Sequence, residues 1–147
     1  MSARSASEFL TLDERARVAT AIGEAERRTS GEIRVHLEDH IEEDVLVHAA
    51  FIFEELGMHR TKDRNGVLIY VSVADRKAAV IGDKGIHERV GEGFWRDVLA
   101  VMQLHFAADR ASDGLCEAVR MVGEKLRDMH PYAHDDRDEL SNEVSVG

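Results

Sequence analysis

Hydrophobic positions at the start of the chain recur every three or four residues, which is the spacing of a helix. Thr11-Leu12-Asp13-Glu14 has the pattern of a capping box, in which each end residue accepts a hydrogen bond from the backbone of the other. This pattern predicts a first helix from Leu12, ended near Gly31 by a glycine able to take a positive φ. The apolar face comprises Leu12, Ala16, Ala19, Ile22 and Ala25.

The spacing then changes from a helix to a strand and back again. Residues 32–38 alternate strictly between polar and apolar, which predicts a strand with one polar face, away from the centre of the sheet. Asp44 is placed to cap a second helix that Gly57 ends. A strand, a helix and a further strand predict a right-handed crossover, so the first two strands should be parallel. The second helix shares an apolar face of Val45, Ala49, Ile52, Phe53 and Leu56.

Two continuous apolar runs, 67–73 and 78–81, form the middle of the chain. Such runs are typical of strands buried on both faces, and the charged turn between them is too short for a helix. They predict an antiparallel hairpin at the centre of the fold. Beyond it, the pattern indicates a helical turn at 86–90, a helix from about Gly93, a loop over 107–114 and a last helix that ends before Pro131.

These elements predict a single-domain α/β/α sandwich, with a small mixed sheet of three or four strands between helices. We assign residues 10–132 to this domain and residues 133–147 to a loosely held acidic C-terminal tail. A chain of 147 residues with 44% hydrophobic content is long enough to bury its own core.

The charge and the cysteine content exclude several classes of binding partner and site. A formal net charge of -10 repels nucleic acid and anionic lipid. Cys116 is the single cysteine, so no internal disulfide or cysteine-based zinc site can form. The N-terminus lacks the apolar core of a signal peptide, and no apolar run reaches the ~20 residues of a membrane span. These features predict a cytoplasmic protein without direct membrane insertion.

The predicted topology brings three polar turns to one edge of the sheet: residues 29–32, 62–66 and 82–85. Calcium takes six to eight oxygen ligands from carboxylates, amides, backbone carbonyls and water, whereas magnesium keeps more water and suits this edge less. The edge offers Glu32, Asp63, Asn65, Asp83 and Glu88 as candidate metal ligands. The alternatives are ordinary solvated turns, the commoner use of Asp, Asn and Gly, or a phosphate site that uses the neighbouring Lys and Arg.

The same segments resemble the TPM domain family. The resemblance lies in the ordered series Ser30–Val35, Arg64–Tyr70, Asp75-Arg76-Lys77, Ile81–Ile86 and Glu92–Trp95. It implies an α/β/α sandwich, calcium binding in some members and a weak acid phosphatase activity in a plant relative. Many members are exported and tethered by a membrane helix, whereas this chain resembles a short bacterial branch without signal or anchor.

Three functions remain in competition. The first is a calcium-binding, non-enzymatic interaction or accessory domain. The second is a metal-assisted phosphatase acting on phosphate monoesters, with Asp83 as ligand or base. The third is a cytoplasmic adaptor for an unidentified, membrane-associated protein partner. The sequence has no Cys-x5-Arg cradle, no Gly-x-Ser-x-Gly elbow and no phosphate-binding Gly-x4-Gly-Lys loop.

Overall fold

The computed structural model describes residues 5–129 and 142–147, and all structural statements below concern this part of the chain. The helices are α1 (Ala6–Phe9), α2 (Leu12–Glu26), α3 (Val45–Glu55), α4 (His87–Val90), α5 (Glu92–Ala107) and α6 (Ala111–Met129), with a 3-10 turn at Met58–Arg60. The strands are β1 (Glu32–Glu38), β2 (Gly66–Ser72), β3 (Lys77–Gly82) and β4 (Ser145–Val146).

The four strands form one mixed sheet in the order β3-β2-β1-β4. Strands β1 and β2 are parallel, with Glu32 opposite Gly66, and β2 and β3 form the predicted antiparallel hairpin. The prediction that β1 lies away from the centre is wrong, because β4 pairs with its outer edge, His36 opposite Ser145. The polar alternation of β1 therefore belongs to an inner strand, in which His36 lies within hydrogen-bond distance of Ser145 and Glu38.

Helices cover both faces of the sheet, which confirms the predicted α/β/α sandwich. Odd-numbered residues of β1 and β2 pack against α2, α5 and α6 in the larger part of the core, which includes Val35, Ile69, Trp95 and Leu115. Even-numbered residues of β2 pack against α3 and the 3-10 turn in the smaller part, around Tyr70. Because side chains alternate across a strand, neighbouring residues of β1 and β2 face different helices.

Two predicted helix boundaries are confirmed and one proposed glycine role is wrong. Thr11 and Glu14 form the capping box of α2, and Asp44 accepts from two amides at the start of α3, which Gly57 follows with φ 71. Gly31, by contrast, has no positive φ. A Cβ there would lie 2.8 Å from the Leu126 side chain, so glycine is needed for close packing against α6.

The predicted loop over residues 107–114 is also wrong, because α6 begins at Ala111. Asp113 lies in the first turn of α6, where a carboxylate favours the positive end of the helix dipole, and pairs with Arg17 of α2 at 2.6 Å. The domain boundaries 10–132 and 133–147 stay predictions. Ala6 and Phe9, before residue 10, are nevertheless buried in the core, and part of the predicted tail forms β4.

Across residues 5–129 and 142–147, none of the helices combines the length and hydropathy required to cross a bilayer.

Candidate functional site

The three polar turns of the sequence prediction meet at one edge of the sheet. β1 and β2 begin there and β3 ends there, because Glu32 lies opposite Gly66 and Val67 lies opposite Gly82. The Asn65 amide nitrogen donates to the Ser30 carbonyl at 3.1 Å and joins the first turn to the second. We call this region the hairpin edge: residues 29–32, 62–66 and 82–85.

Arg64 and Asp83 form the main ion pair of the hairpin edge. Arg64 Nε donates to Asp83 Oδ2 at 2.8 Å and Nη2 donates to Oδ1 at 3.0 Å, a bidentate arrangement. The Asp83 side chain is only 5% exposed and that of Arg64 is 37% exposed, so the cation is the partner that reaches solvent. The hydrogen bonds to Asp83 raise the pKa of the Arg64 guanidinium.

The backbone of the second turn is tightly constrained. Arg64 has φ 51, in the left-handed region that residues with a side chain seldom adopt. The Gly85 amide donates to the Arg64 carbonyl at 2.9 Å. A Cβ on Gly85 would lie 2.5 Å from the carbonyl oxygens of Asp63 and Arg64, so only glycine allows these two turns to approach so closely.

Glu32 and Asp83 lie on either side of Gly66. Glu32 is opposite Gly66 in β1, and the Asp83 amide donates to the Gly66 carbonyl at 2.9 Å. Residues that are opposite one another share a face of the sheet, here the face covered by α3 and the 3-10 turn. Glu32 is 3% exposed, and the Met58 carbonyl oxygen lies 3.4 Å from the position of a Cβ on Gly66. The Met58 side chain also covers this position, with its Cε 3.6 Å and its Cβ 3.9 Å away, so Met58 packs over the glycine that separates the two carboxylates.

The other predicted ligands are placed differently. Asp63 is exposed, and its backbone carbonyl faces Gly85. Asn65 is buried and uses its amide to join two turns. Glu88 belongs to α4, and its side chain lies outside the described part of the structure. Among residues 5–129 and 142–147, no group of three or more His, Cys, Asp or Glu side chains is placed to hold a metal ion. A cation at the hairpin edge would thus depend on backbone and amide oxygens as well as on Glu32 and Asp83.

A second polar cluster lies at the opposite edge, where the parallel strands end, and the sequence analysis did not find it. Glu38, the last residue of β1, is its centre. One carboxylate oxygen accepts from Tyr70 Oη at 2.9 Å and from His48 Nε2 at 2.8 Å. The other lies 3.1 Å from His36 Nε2. We call these four residues the Glu38 cluster.

The pKa values of the two histidines of the Glu38 cluster shift in opposite directions. His48 Nε2 and Nδ1 lie 2.8 and 2.5 Å from carboxylates of Glu38 and Glu43, an arrangement that favours the doubly protonated ring. Burial opposes this charge, but the hydrogen bonds to Glu43 and Glu38 and the attraction of both carboxylates raise the pKa of His48. Burial lowers the pKa of His36, whose other nitrogen lies 2.7 Å from Ser145 Oγ in β4.

A smaller carboxylate site adjoins the Glu38 cluster. Asp75 accepts from the Ser72 hydroxyl at 2.6 Å and from the Ile41 amide at 2.8 Å, and His40 lies beside it. These hydrogen bonds lower the pKa of Asp75 to about 2. Ser72 is the last residue of β2, and His40 and Ile41 follow β1, so Asp75 connects the ends of the two strands.

One signal in the sequence pointed to the Glu38 cluster. Tyr70 is the one aromatic residue in an otherwise aliphatic β2, and a buried tyrosine hydroxyl needs a polar partner. The partner itself depends on the register of β1 against β2, which places His36 opposite Tyr70 and Glu38 opposite Ser72.

A groove of about 780 Å³ follows the outer face of α6, between α2 and α5. Its charged residues are largely paired with one another: Arg17 with Asp113, and Arg120 with Glu117 and Glu124. Cys116 lines the groove, and burial raises the pKa of its thiol, which disfavours the reactive thiolate. The groove is therefore an ion-paired surface and offers no activated nucleophile.

The hairpin edge carries part of the segments on which the family resemblance rests, and the chain matches the family model of the TPM domain over residues 4–125. The chain belongs to the TPM domain family. None of the curated proteins compared with this TPM domain matches it.

Solved structures that resemble this TPM domain include two determined by NMR. The NMR structure of the BA42 protein from the psychrophilic bacterium Bizionia argentinensis is 44% identical, with a TM-score of 0.89, over 95% of this chain and 97% of that one. The solution NMR structure of the N-terminal domain of a protein from P. gingivalis is 18% identical, with a TM-score of 0.70, over 87% of this chain and 85% of that one. The second likeness shows the fold alone.

Proposed function

We propose that this TPM domain is a calcium-binding, non-enzymatic accessory domain whose ion site is the hairpin edge. The observation that carries the proposal is the pair of buried acidic residues, Glu32 and Asp83, which pair with Gly66 from its two sides at the hairpin edge. Calcium accepts a ligand set of this mixed kind, completed by backbone carbonyls such as that of Met58 and by water.

The Arg64 guanidinium occupies the place on Asp83 that a bound cation would take. Calcium would have to displace it, and the 37% exposure of Arg64 gives the side chain a route into solvent. Competition with a resident cation weakens binding, so we expect a dissociation constant in the weak range of about 10⁻⁴–10⁻³ M. Magnesium, which dehydrates reluctantly and demands an octahedral site, should bind more weakly still.

The phosphatase alternative has less support. It needs Asp83 as a metal ligand or general base, and therefore the same displacement of Arg64 from both carboxylate oxygens that calcium binding requires, together with a catalytic group for which no residue has been found in the described part of the chain. The cysteine in the α6 groove is also a poor nucleophile. We therefore do not propose a phosphatase function. Cytoplasmic residence and a membrane-associated partner stay predictions.

A residue-resolved calcium titration, followed through backbone amide resonances, tests the proposal. We expect saturable shifts at residues 32, 58, 66 and 83, and a higher melting temperature by mass action. At ten times the dissociation constant, the gain is about 1.4 kcal/mol. Glu32→Gln and Asp83→Asn should weaken binding, whereas Asp97→Asn, at an exposed position of α5, should not. Equal shifts in all variants, or none at millimolar calcium, would contradict the proposal.

A further inference from the structure

The outer face of α3 carries exposed apolar side chains. Leu46, Val47 and Phe51 are 57%, 58% and 52% exposed, and Ala50 between them is exposed too. The inner face of α3 already supplies the packing against the sheet, through Ala49, Ile52 and Phe53. A surface helix normally has polar residues on its outer face, so the fold itself gives no reason for these apolar residues.

These four residues, which we call the α3 stripe, are contiguous. Their spacings of one, three, four and five positions place them side by side over two turns of helix. The remaining large exposed apolar side chains in the described part of the chain, Leu12, Leu104 and Val146, lie on three other elements. Single exposed apolar residues are ordinary, whereas a contiguous group marks an interaction surface.

Acidic residues border the α3 stripe at both ends. Glu43 lies just before the N-cap of α3, three and four positions ahead of Leu46 and Val47, and Glu54 lies one turn after Phe51. Further carboxylates at positions 42, 44 and 55 extend both borders, and residues 41–59 contain neither Lys nor Arg. Of the two histidines in this segment, His48 and His59, His48 has both ring nitrogens within hydrogen-bond distance of carboxylates.

The acidic residues after the stripe are unfavourable for α3 itself. Glu54 and Glu55 lie at the C-terminal end of the helix, which has no basic residue in its last turn. Carboxylates there repel the negative end of the helix dipole. These carboxylates therefore destabilise α3, and the stability of the fold does not explain them. Their position favours a role in binding a partner.

We propose that the α3 stripe is a docking surface for a cationic amphipathic helix of a partner protein. An apolar face of that helix covers the stripe, and its Lys and Arg residues lie against the acidic borders. A second copy of this chain is disfavoured, because a two-fold contact would bring acidic borders together in a molecule of net charge -10. An anionic membrane is disfavoured by the same charge.

Two turns of helix give a contact about 10 Å long. A contact this short buries a small area, which is typical of weak, transient interfaces. We expect a dissociation constant of roughly 10–100 μM, weaker at high salt because the acidic borders are exposed. The inference supplies the partner for the accessory role proposed above. Docking at the α3 stripe rests on the accessory role only because that role requires a partner. The stripe and the hairpin edge share no residue, so either proposal can fail alone.

The experiment is an amide-resonance titration of the full chain with three synthetic peptides of about four helical turns, in the presence of a calcium chelator. The first peptide has a leucine face flanked by lysines, the second has the same residues in scrambled order, and the third has glutamates in place of the lysines. The chelator separates the two proposals, because docking can then fail or succeed independently of calcium.

The proposal predicts that the first peptide alone shifts the α3 amides saturably. V47S/F51S should weaken its binding at least tenfold, and E43Q/E54Q should weaken it severalfold and reduce its salt dependence. L104S, which removes an equally exposed leucine from α5, should leave binding unchanged. Because all these side chains are exposed, preserved amide spectra of the free variants will show that each one folds.

Four results would overturn the proposal. They are shifts outside α3, equal binding of the scrambled or glutamate peptide, equal affinity in V47S/F51S, and no binding by the wild-type chain. Two further measurements address the other occupants of the stripe. Sedimentation that shows a dimer lost in V47S/F51S would assign the stripe to a second copy. Binding to phosphatidylglycerol vesicles through α3 would assign it to a membrane.

Discussion

Replacing Tyr70 with phenylalanine tests the Glu38 cluster most cleanly. The substitution keeps the buried ring and removes only the hydroxyl that donates to Glu38 Oε2 at 2.9 Å. A hydrogen bond to a charged group contributes about 1.5–3 kcal/mol net to stability. Since His48 Nε2 still donates to the same oxygen at 2.8 Å, we expect the lower end, about 1.5 kcal/mol.

Urea unfolding and thermal unfolding give the measurement. For a chain of about 150 residues, 1 kcal/mol corresponds to roughly 2–4 °C, so Tyr70→Phe should lower the melting temperature by about 3–6 °C. The control is a double-mutant cycle with Glu38→Gln. With a neutral acceptor, the hydroxyl should contribute only about 0.5 kcal/mol, which leaves a coupling of about 1 kcal/mol. An equal loss in both backgrounds would refute the charge-assisted bond, and no loss at all would refute the contact itself.

Two further predictions test the hairpin edge and the charge of the Glu38 cluster. Gly85→Ala should lower the free energy of unfolding in urea by about 2–3 kcal/mol, because its Cβ would lie 2.5 Å from the carbonyls of the 63–64 turn. The control is Gly93→Ala in α5, where a Cβ meets open space. It should be neutral or stabilising by up to about 1 kcal/mol. The raised pKa of His48 stabilises the fold fully below its unfolded pKa of about 6.5, and this contribution is lost as pH rises through the folded value. His48→Gln should therefore reduce stability at about pH 6, below the unfolded pKa, and this effect should decrease as pH rises through the folded pKa; a loss independent of pH would mean that the ring is neutral.

The periodic elements were predictable because their signals are local. A capping box, an Asp cap and a glycine-ended helix involve residues a few positions apart, and all of them fix α2 and α3 where the pattern predicted them. The hairpin was equally clear, since continuous apolar runs need burial on both faces. The meeting of three turns at the hairpin edge followed from topology alone.

The remaining features depend on contacts between distant residues. The pairing of β4 with β1 brings Ser145 to His36, and a strand of two residues has no sequence pattern that predicts this pairing. The start of α6 at Ala111 reflects tertiary contacts, including the ion pair between Asp113 and Arg17, which local turn propensity does not reveal. The bidentate engagement of Asp83 by Arg64 depends on the left-handed backbone at Arg64, a conformation that the sequence does not indicate for an arginine.

The most direct test of the calcium proposal is the Arg64 side chain itself. Its Nε–H donates to Asp83 Oδ2 at 2.8 Å, and ¹⁵N NMR can follow that one group during a calcium titration. We predict that its resonance moves toward the position of a solvated guanidinium, with the same midpoint as the amides of Glu32 and Asp83. An Nε–H resonance that stays unchanged at millimolar calcium would contradict displacement of Arg64 and with it the proposed site.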